Sequence, residues 1–372
     1  MLVGVPKETK DHEYRVAVIP ATVAELTRRG HGVVVERGAG AGAEFYDADY
    51  IAAGAEIATS AAEVFAHAEM IVKVKEPLAT ERKMLSRGQV LFTYLHLAAD
   101  RAQADDLIAS GVTAIAYETV TDQHGFLPLL MPMSEVAGRM APQVGARCLE
   151  KVVGGRGVLL GGVPGVPPAD VLILGSGVVA TNAAAIAIGL GANVMMAGQN
   201  MDQLRRASAQ FGARLRTVFA ARQAVETLCR RADLIVCAVL VPGAAAPKLI
   251  SAEMVKAMKS GAVIVDVSID QGGTSETSRP TTHSDPTYIV DDVVHYCVTN
   301  MPGAVARSST FALSNVTAPF VLAIADQGAG RALMMDAYLR DGLNIHHGQV
   351  THRAVAGALN LPFVPASEAL KG

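Results

Sequence analysis

VLILGSGVVATNAAAIAIGLGANVMMAGQN (residues 171–200) sets two short apolar runs on either side of a glycine turn and an alanine-rich stretch. Val171 to Leu174 is the first run, Gly175-Ser-Gly177-Val-Val-Ala180 the turn, and Val194 to Ala197 the second run. The order predicts strand, helix and strand, the opening unit of a dinucleotide-binding domain. Glycine at 175 and 177 allows backbone to approach a pyrophosphate, and the start of the helix supplies unpaired N–H groups and positive dipole. Ala180 in the third position still permits close helix packing. Glycine turns also arise for packing alone; the second strand at the right interval is what favours a nucleotide. An aspartate or glutamate usually follows the glycines by about 20 residues and accepts the ribose hydroxyls. Gly198 stands there instead, with Gln199 and Asn200 after it.

The same alternation extends in both directions. Toward the amino terminus the apolar runs are LVGVP, HGVVVE (31–36), MIVKVK (70–75), QVLFTYLH (89–96) and VTAIAYET (112–119). Toward the carboxyl terminus they are LIVCAV (234–239), AVIVDVS (262–268) and HYCVTN (295–300). Runs this rich in β-branched residues, separated by helix-compatible stretches, predict α/β architecture with parallel sheets. A long helix is expected from MSEVAGRMAPQVGARCLEKV, with Ser134 as its cap. We expect two Rossmann-like domains with cofactor and substrate in the cleft between them. Residues 1–129 form the first segment of a substrate domain and 130–307 the dinucleotide domain. Residues 308–372 form a helical segment, without a fresh series of strands, that packs back on the substrate domain.

Composition has a globular profile with an apolar lean that suits buried parallel sheets. Of the 372 residues, 51% are hydrophobic and 18% charged, and the formal net charge is −3. No basic field is present for phosphate backbones, so nucleic acid is excluded as a partner. Cys148, Cys229, Cys237 and Cys297 lack CxxC spacing and are expected to be buried packing thiols in a reducing compartment. The start MLVGVPKETKDHEYR has early mixed charge and no long apolar region, so neither a signal peptide nor a membrane anchor is expected, and the cytoplasm is the default location.

Ligands of open α/β sheets bind beyond the carboxyl ends of the strands, which gives polar residues there particular interest. Arg15 follows the first strand and a charged loop, Lys75 ends MIVKVK, and His96 ends QVLFTYLH. In the dinucleotide domain Asp270 follows AVIVDVS and Asn300 ends HYCVTN. Any one of these could be merely solvated. Together an arginine, a lysine, a histidine and an aspartate can hold a carboxylate, polarise a carbonyl and move a proton. Met133 is a candidate apolar wall. His346, His347 and His352 are read as surface groups, since adjacent histidines diverge on a helix and no acidic cluster accompanies them; no metal is expected.

The stretches VGVPKE, YRVAVIP, KVKEP, TYLHLAAD, MSEVAGRMA, GVLLGGVPGV, AVLVPGAAAPKLI, VDVSIDQGG, SRPTT and NMPGAV resemble alanine dehydrogenase, a relative of the NAD-binding subunit of proton-translocating transhydrogenase. The resemblance covers nearly the whole chain. It implies reversible oxidative deamination of L-alanine to pyruvate and ammonium with NAD, by a homohexamer. Carried over by residue, Arg15 and Lys75 match the substrate-binding pair, His96 the proton donor and acceptor, and Asp270 the second catalytic residue. Ser134, Val239, Leu240, Val267, Ser268, Ile269, Asp270, Arg279, Asn300, Met301, Pro302 and Gly303 match the lining of the NAD site. Two positions depart from the family: Gly198 replaces the ribose-binding aspartate, and Ala220 a serine near the adenine. These departures open the way to NADP.

In the mechanism this implies, the Arg15 fork pairs with the alanine carboxylate and His96 exchanges protons with water and ammonia. Asp270 stabilises the iminium, and Lys75 polarises the pyruvate oxygen; the His96 and Lys75 roles are interchangeable at this point. The alternatives are a dehydrogenase of the same fold acting on another small 2-oxo acid or with NADP, and a non-catalytic nucleotide-binding subunit.

Overall fold

The computed structural model describes residues 1–239 and 246–371. The chain separates into two compact units, Met1–Met133 with Gly303–Gly372, and Ser134–Pro302.

In the first unit the apolar runs become parallel strands β1 (Leu2–Val5), β2 (Gly32–Glu36), β3 (Glu56–Ala58), β4 (Met70–Val72), β5 (Val90–Thr93) and β6 (Thr113–Ala116). They lie in the order β3-β2-β1-β4-β5-β6. Every residue of β5 and β6 is buried, as expected of strands covered on both faces, and this makes VLFT and TAIA continuous rather than alternating. The strands are shorter than the apolar runs, so Arg15, Lys75 and His96 all lie in the connections beyond them. Those connections leave β1, β4 and β5, which are neighbours in the sheet at the point where strand order reverses.

The second unit contains β7 (Asp170–Leu174), β8 (Asn193–Gly198), β9 (Leu215–Phe219), β10 (Leu234–Cys237), β11 (Val263–Asp266), β12 (Thr287–Val290) and β13 (Val293–Tyr296). Their order is β12-β13-β11-β10-β7-β8-β9, parallel except for the edge strand β12. Order reverses between β7 and β10, where the glycine turn begins. The helix Val178–Gly189 buries only Ala180, Ala183, Ala184 and Ala187, and such short side chains bring it close to the sheet. Gly138, in the long helix Met131–Cys148, is required by a second close approach: a Cβ there would stand 2.4 Å from the Val179 carbonyl oxygen. The parallel strands of both sheets, with the antiparallel edge strand β12 set aside, share the 3-2-1-4-5-6 arrangement, which bears out the expectation of two Rossmann-like folds.

Two local expectations are corrected. The carboxyl-terminal segment is not purely helical: β14 (Leu343–His346) and β15 (Gln349–Val350) form a hairpin, and β14 pairs antiparallel with β6. His346 and His347 therefore lie on this hairpin rather than a helix, and His346 is buried rather than a surface group, its imidazole 3.0 Å from the Thr113 hydroxyl. Ser134 is also not a helix cap, since its helix starts at Met131 and places it in the first turn.

Candidate active site

Arg15 is 2% exposed and lies against a carboxylate that the sequence reading overlooked. Its Nε donates to Glu13 Oε1 at 2.7 Å and its Nη2 to Glu13 Oε2 at 2.5 Å, a bidentate pair. Nη1 points to the Met133 sulfur at 3.1 Å. Burial works against the charge of Arg15, but the Glu13 hydrogen bonds and charge outweigh it and hold the guanidinium pKa above its ordinary value. The structure thus brings Arg15 and Met133 together, on a guanidinium whose plane Glu13 fixes.

Lys75 follows β4, and its backbone N–H is 3.3 Å from Glu8 Oε1, which also accepts the Val74 N–H at 2.6 Å. Glu8 is held from below by Lys73, which lies 3.2 Å from it and 2.8 Å from Glu81. All three are buried, and burial raises the Glu8 pKa more than Lys73 lowers it. Two lysines two residues apart on one run thus differ in kind. Lys73 is locked in an ionic cluster, while the Lys75 ammonium is paired loosely with Glu76 at 3.9 Å.

His96 occupies the left-handed region at φ +50, a conformation costly for a residue with a Cβ and frequent where function fixes a backbone. Glu118 holds it there, accepting the His96 N–H at 2.6 Å and the Leu95 N–H at 3.2 Å. The imidazole stacks on Tyr94 with ring centroids 5.8 Å apart, and its Nδ1 is 3.9 Å from Glu118. Tyr94 is itself buried, donates to the Leu129 carbonyl at 2.6 Å, and has its pKa raised by that burial. The His96 side chain remains 48% exposed, so a rigid base carries a solvent-accessible imidazole.

In the second unit Gly175 has φ +120, and a Cβ there would lie 2.2 Å from the Ala238 carbonyl oxygen. Among the described residues, a Cβ at Gly177 would meet no atom within 4 Å, and no side chain caps the helix that Gly177 opens. Open space over a glycine turn at a helix start fits the pyrophosphate of a dinucleotide. Gly198 ends β8; Gln199 and Asn200 are exposed, and Asn200 caps the next helix by accepting the Asp202 and Gln203 N–H groups at 3.0 Å. Ala220 lies just past β9 with its N–H 3.0 Å from the Gly198 carbonyl.

Past β11, Val267, Ser268, Ile269 and Asp270 form a tight helical turn. The buried Asp266, also overlooked, anchors it by accepting the Ser268 N–H at 3.1 Å, the Thr274 N–H at 2.7 Å and the Ser278 hydroxyl at 2.6 Å. Val239 is tied to this turn by its N–H, 3.0 Å from the Ser268 hydroxyl. Arg279 lies 4.0 Å over the Tyr288 ring. Asn300 has φ +60, its carbonyl is 3.2 Å from His283 Nε2, and Met301, Pro302 and Gly303 continue into a short helical turn. Leu240 lies outside the described residues. A depression of about 880 Å³ lined by Arg156, Asp170, Arg214, Asp233 and Lys259 sits where β7 to β9 begin, the end of the sheet remote from this chemistry.

A glycine turn on one Rossmann-like unit, and a buried arginine, a lysine and a held histidine at the strand ends of another, define a dinucleotide-binding protein equipped for a small acid substrate. Residues 4–137 match the alanine dehydrogenase/PNT N-terminal domain model and residues 141–353 its C-terminal counterpart. The chain is 56% identical to an alanine dehydrogenase of Halomonas elongata over 99% of both chains, and 54% identical to one of Bacillus subtilis over 100% of this chain and 98% of the other. A solved L-alanine dehydrogenase superposes with a TM-score of 0.94 at 50% identity, covering 97% of this chain and 99% of that one. A transhydrogenase from Sinorhizobium meliloti does so with 0.82 at 25%, covering 95% and 100%. The chain belongs to the alanine dehydrogenase/PNT family.

Proposed function

We propose that the chain catalyses the reversible oxidative deamination of L-alanine to pyruvate and ammonium. The observation that carries this is the 56% identity with an alanine dehydrogenase over 99% of both chains. The glycine turn Gly175–Gly177 would hold the nicotinamide dinucleotide, which would supply the acceptor for the Cα hydride. Arg15, oriented by Glu13, binds the substrate carboxylate with its planar fork. His96 takes the proton from the water that hydrates the imine and returns it to the departing ammonia, a role an accessible imidazole can play in both directions. Lys75 polarises the pyruvate oxygen, and Asp270 stabilises the positive charge of the iminium. Met133 supplies the apolar wall beside the methyl group, and Asn300 a polar contact to substrate and cofactor.

NAD is the cofactor we assign, with NADP tolerated because Gly198 removes the acid that would repel a 2′-phosphate. The protein is assigned as a cytoplasmic homohexamer. Leu159, Val163, Val166 and Leu190, all exposed on the second unit, support association between copies. Steady-state assays over alanine, serine, glycine, pyruvate and glyoxylate, with both cofactors, test the assignment. Alanine and pyruvate should give the highest kcat/KM in their respective directions; a better rate with glycine and glyoxylate would replace the substrate.

A further inference from the structure

Ser176 and Gly198 share one small space at the end of β8. A Cβ on residue 198 would stand 2.7 Å from the Ser176 hydroxyl oxygen, 2.9 Å from the Ser176 Cβ and 3.3 Å from Leu204 Cδ2. Rotation could move the hydroxyl, but the Cβ is fixed by its backbone. That backbone follows Gly175, whose left-handed conformation is itself wedged against Ala238. The Ser176 hydroxyl donates to the Gln203 side-chain oxygen at 2.8 Å, and Gln203 is set in place by the Asn200 cap. Asp202, the acid next along the chain, is paired with Arg205 at 2.8 Å. The end of β8 therefore offers neutral polar groups where related folds offer a carboxylate.

We propose that Ser176 and Gly198 form one interlocked specificity determinant. Ser176 fills the space a side chain at 198 would need, and the Ser176–Gln203 pair meets the adenosine ribose without charge. The chain consequently takes both the 2′-hydroxyl and the 2′-phosphate forms of the dinucleotide. The proposal rests on the nicotinamide-cofactor reading above. It adds that cofactor choice cannot be reset at Gly198 alone.

The test is a double-mutant cycle read by binding: fluorescence titration of NADH and NADPH, and calorimetry with AMP and adenosine 2′,5′-bisphosphate. Wild type should bind NADPH within about tenfold of NADH. A carboxylate–hydroxyl contact corresponds to roughly a ten- to hundredfold gain. Ser176→Gly combined with Gly198→Asp should reach that gain for NADH and lose NADPH, whereas Gly198→Asp alone should gain less than about threefold. A single substitution that matches the double, or a wild type that prefers NADH more than about a hundredfold, overturns the proposal. Gly198→Ala reads the clash without nucleotide: its lost Tm should return when Ser176→Gly is added, and equal Tm values would contradict the interlock. A wild type that binds neither nucleotide would instead defeat the parent reading.

Discussion

Glu13 turns Arg15 from a buried charge into an oriented tool. Two hydrogen bonds along one edge fix the plane of the guanidinium, and a lysine could reproduce neither that pairing nor a second bidentate one to a substrate carboxylate. Arg15→Lys should therefore raise KM for pyruvate by more than about tenfold. A KM unchanged within error would hand the carboxylate to another cation, with Lys75 first in line. His96 invites the complementary experiment, because its exposed imidazole sits on a backbone that Glu118 and Tyr94 hold. His96→Ala should remove turnover by about a hundredfold or more while nucleotide binding survives, and a near-normal kcat would take His96 out of the mechanism. Arg15, Lys75 and His96 were legible because each lies beyond the carboxyl end of a short apolar run, where ligands of open α/β sheets bind. Glu13, Glu118 and Asp266 were not, because each carboxylate is defined by the backbone N–H groups or guanidinium that folding delivers to it.

Strand β13 shows how an element can carry a pH dependence. His295 is fully buried in it, with Nδ1 2.9 Å from the Val293 carbonyl and Nε2 2.7 Å from the Thr277 hydroxyl. A carbonyl can only accept, so Nδ1 bears the proton and Nε2 accepts from Thr277. Burial lowers the His295 pKa below its ordinary value, and it does the same for His346 and His352. With the folded pKa depressed, the unfolded chain binds more protons just below pH 6.5. Stability is therefore present above that pH and is lost as pH falls through the window beneath it, by up to about 1.4 kcal/mol per pH unit for His295. The urea midpoint should fall between pH 7.5 and 5 and fall less in His295→Gln; identical slopes would contradict the assignment. The β14–β15 hairpin was less legible than β7 and β8. Its strands are short, and the partner of β14 is β6, far away in sequence. The local signal was Gly348 after His347: both residues of this two-residue turn take positive φ, at +48 and +86, which glycine adopts without strain.

Taken whole, the chain repeats one sheet order in two units and equips them differently. The second carries a glycine turn at the start of a helix; the first carries cationic groups and a histidine at adjacent strand ends. The repetition was readable because buried parallel strands are written as short β-branched runs at regular intervals. The assignment of chemistry claims more than the fold does, since Rossmann-like sheets serve many reactions. It requires hydride to reach the carbon that bears nitrogen, and only when ammonium is supplied. The most direct measurement is to incubate the protein with pyruvate, ammonium and NADH deuterated at both C4 positions, and to locate the label in the product by mass spectrometry and NMR. The account predicts L-alanine carrying one deuterium at Cα, with no turnover when ammonium is withheld. Deuterium in lactate, or NADH oxidation that does not depend on ammonium, would contradict it.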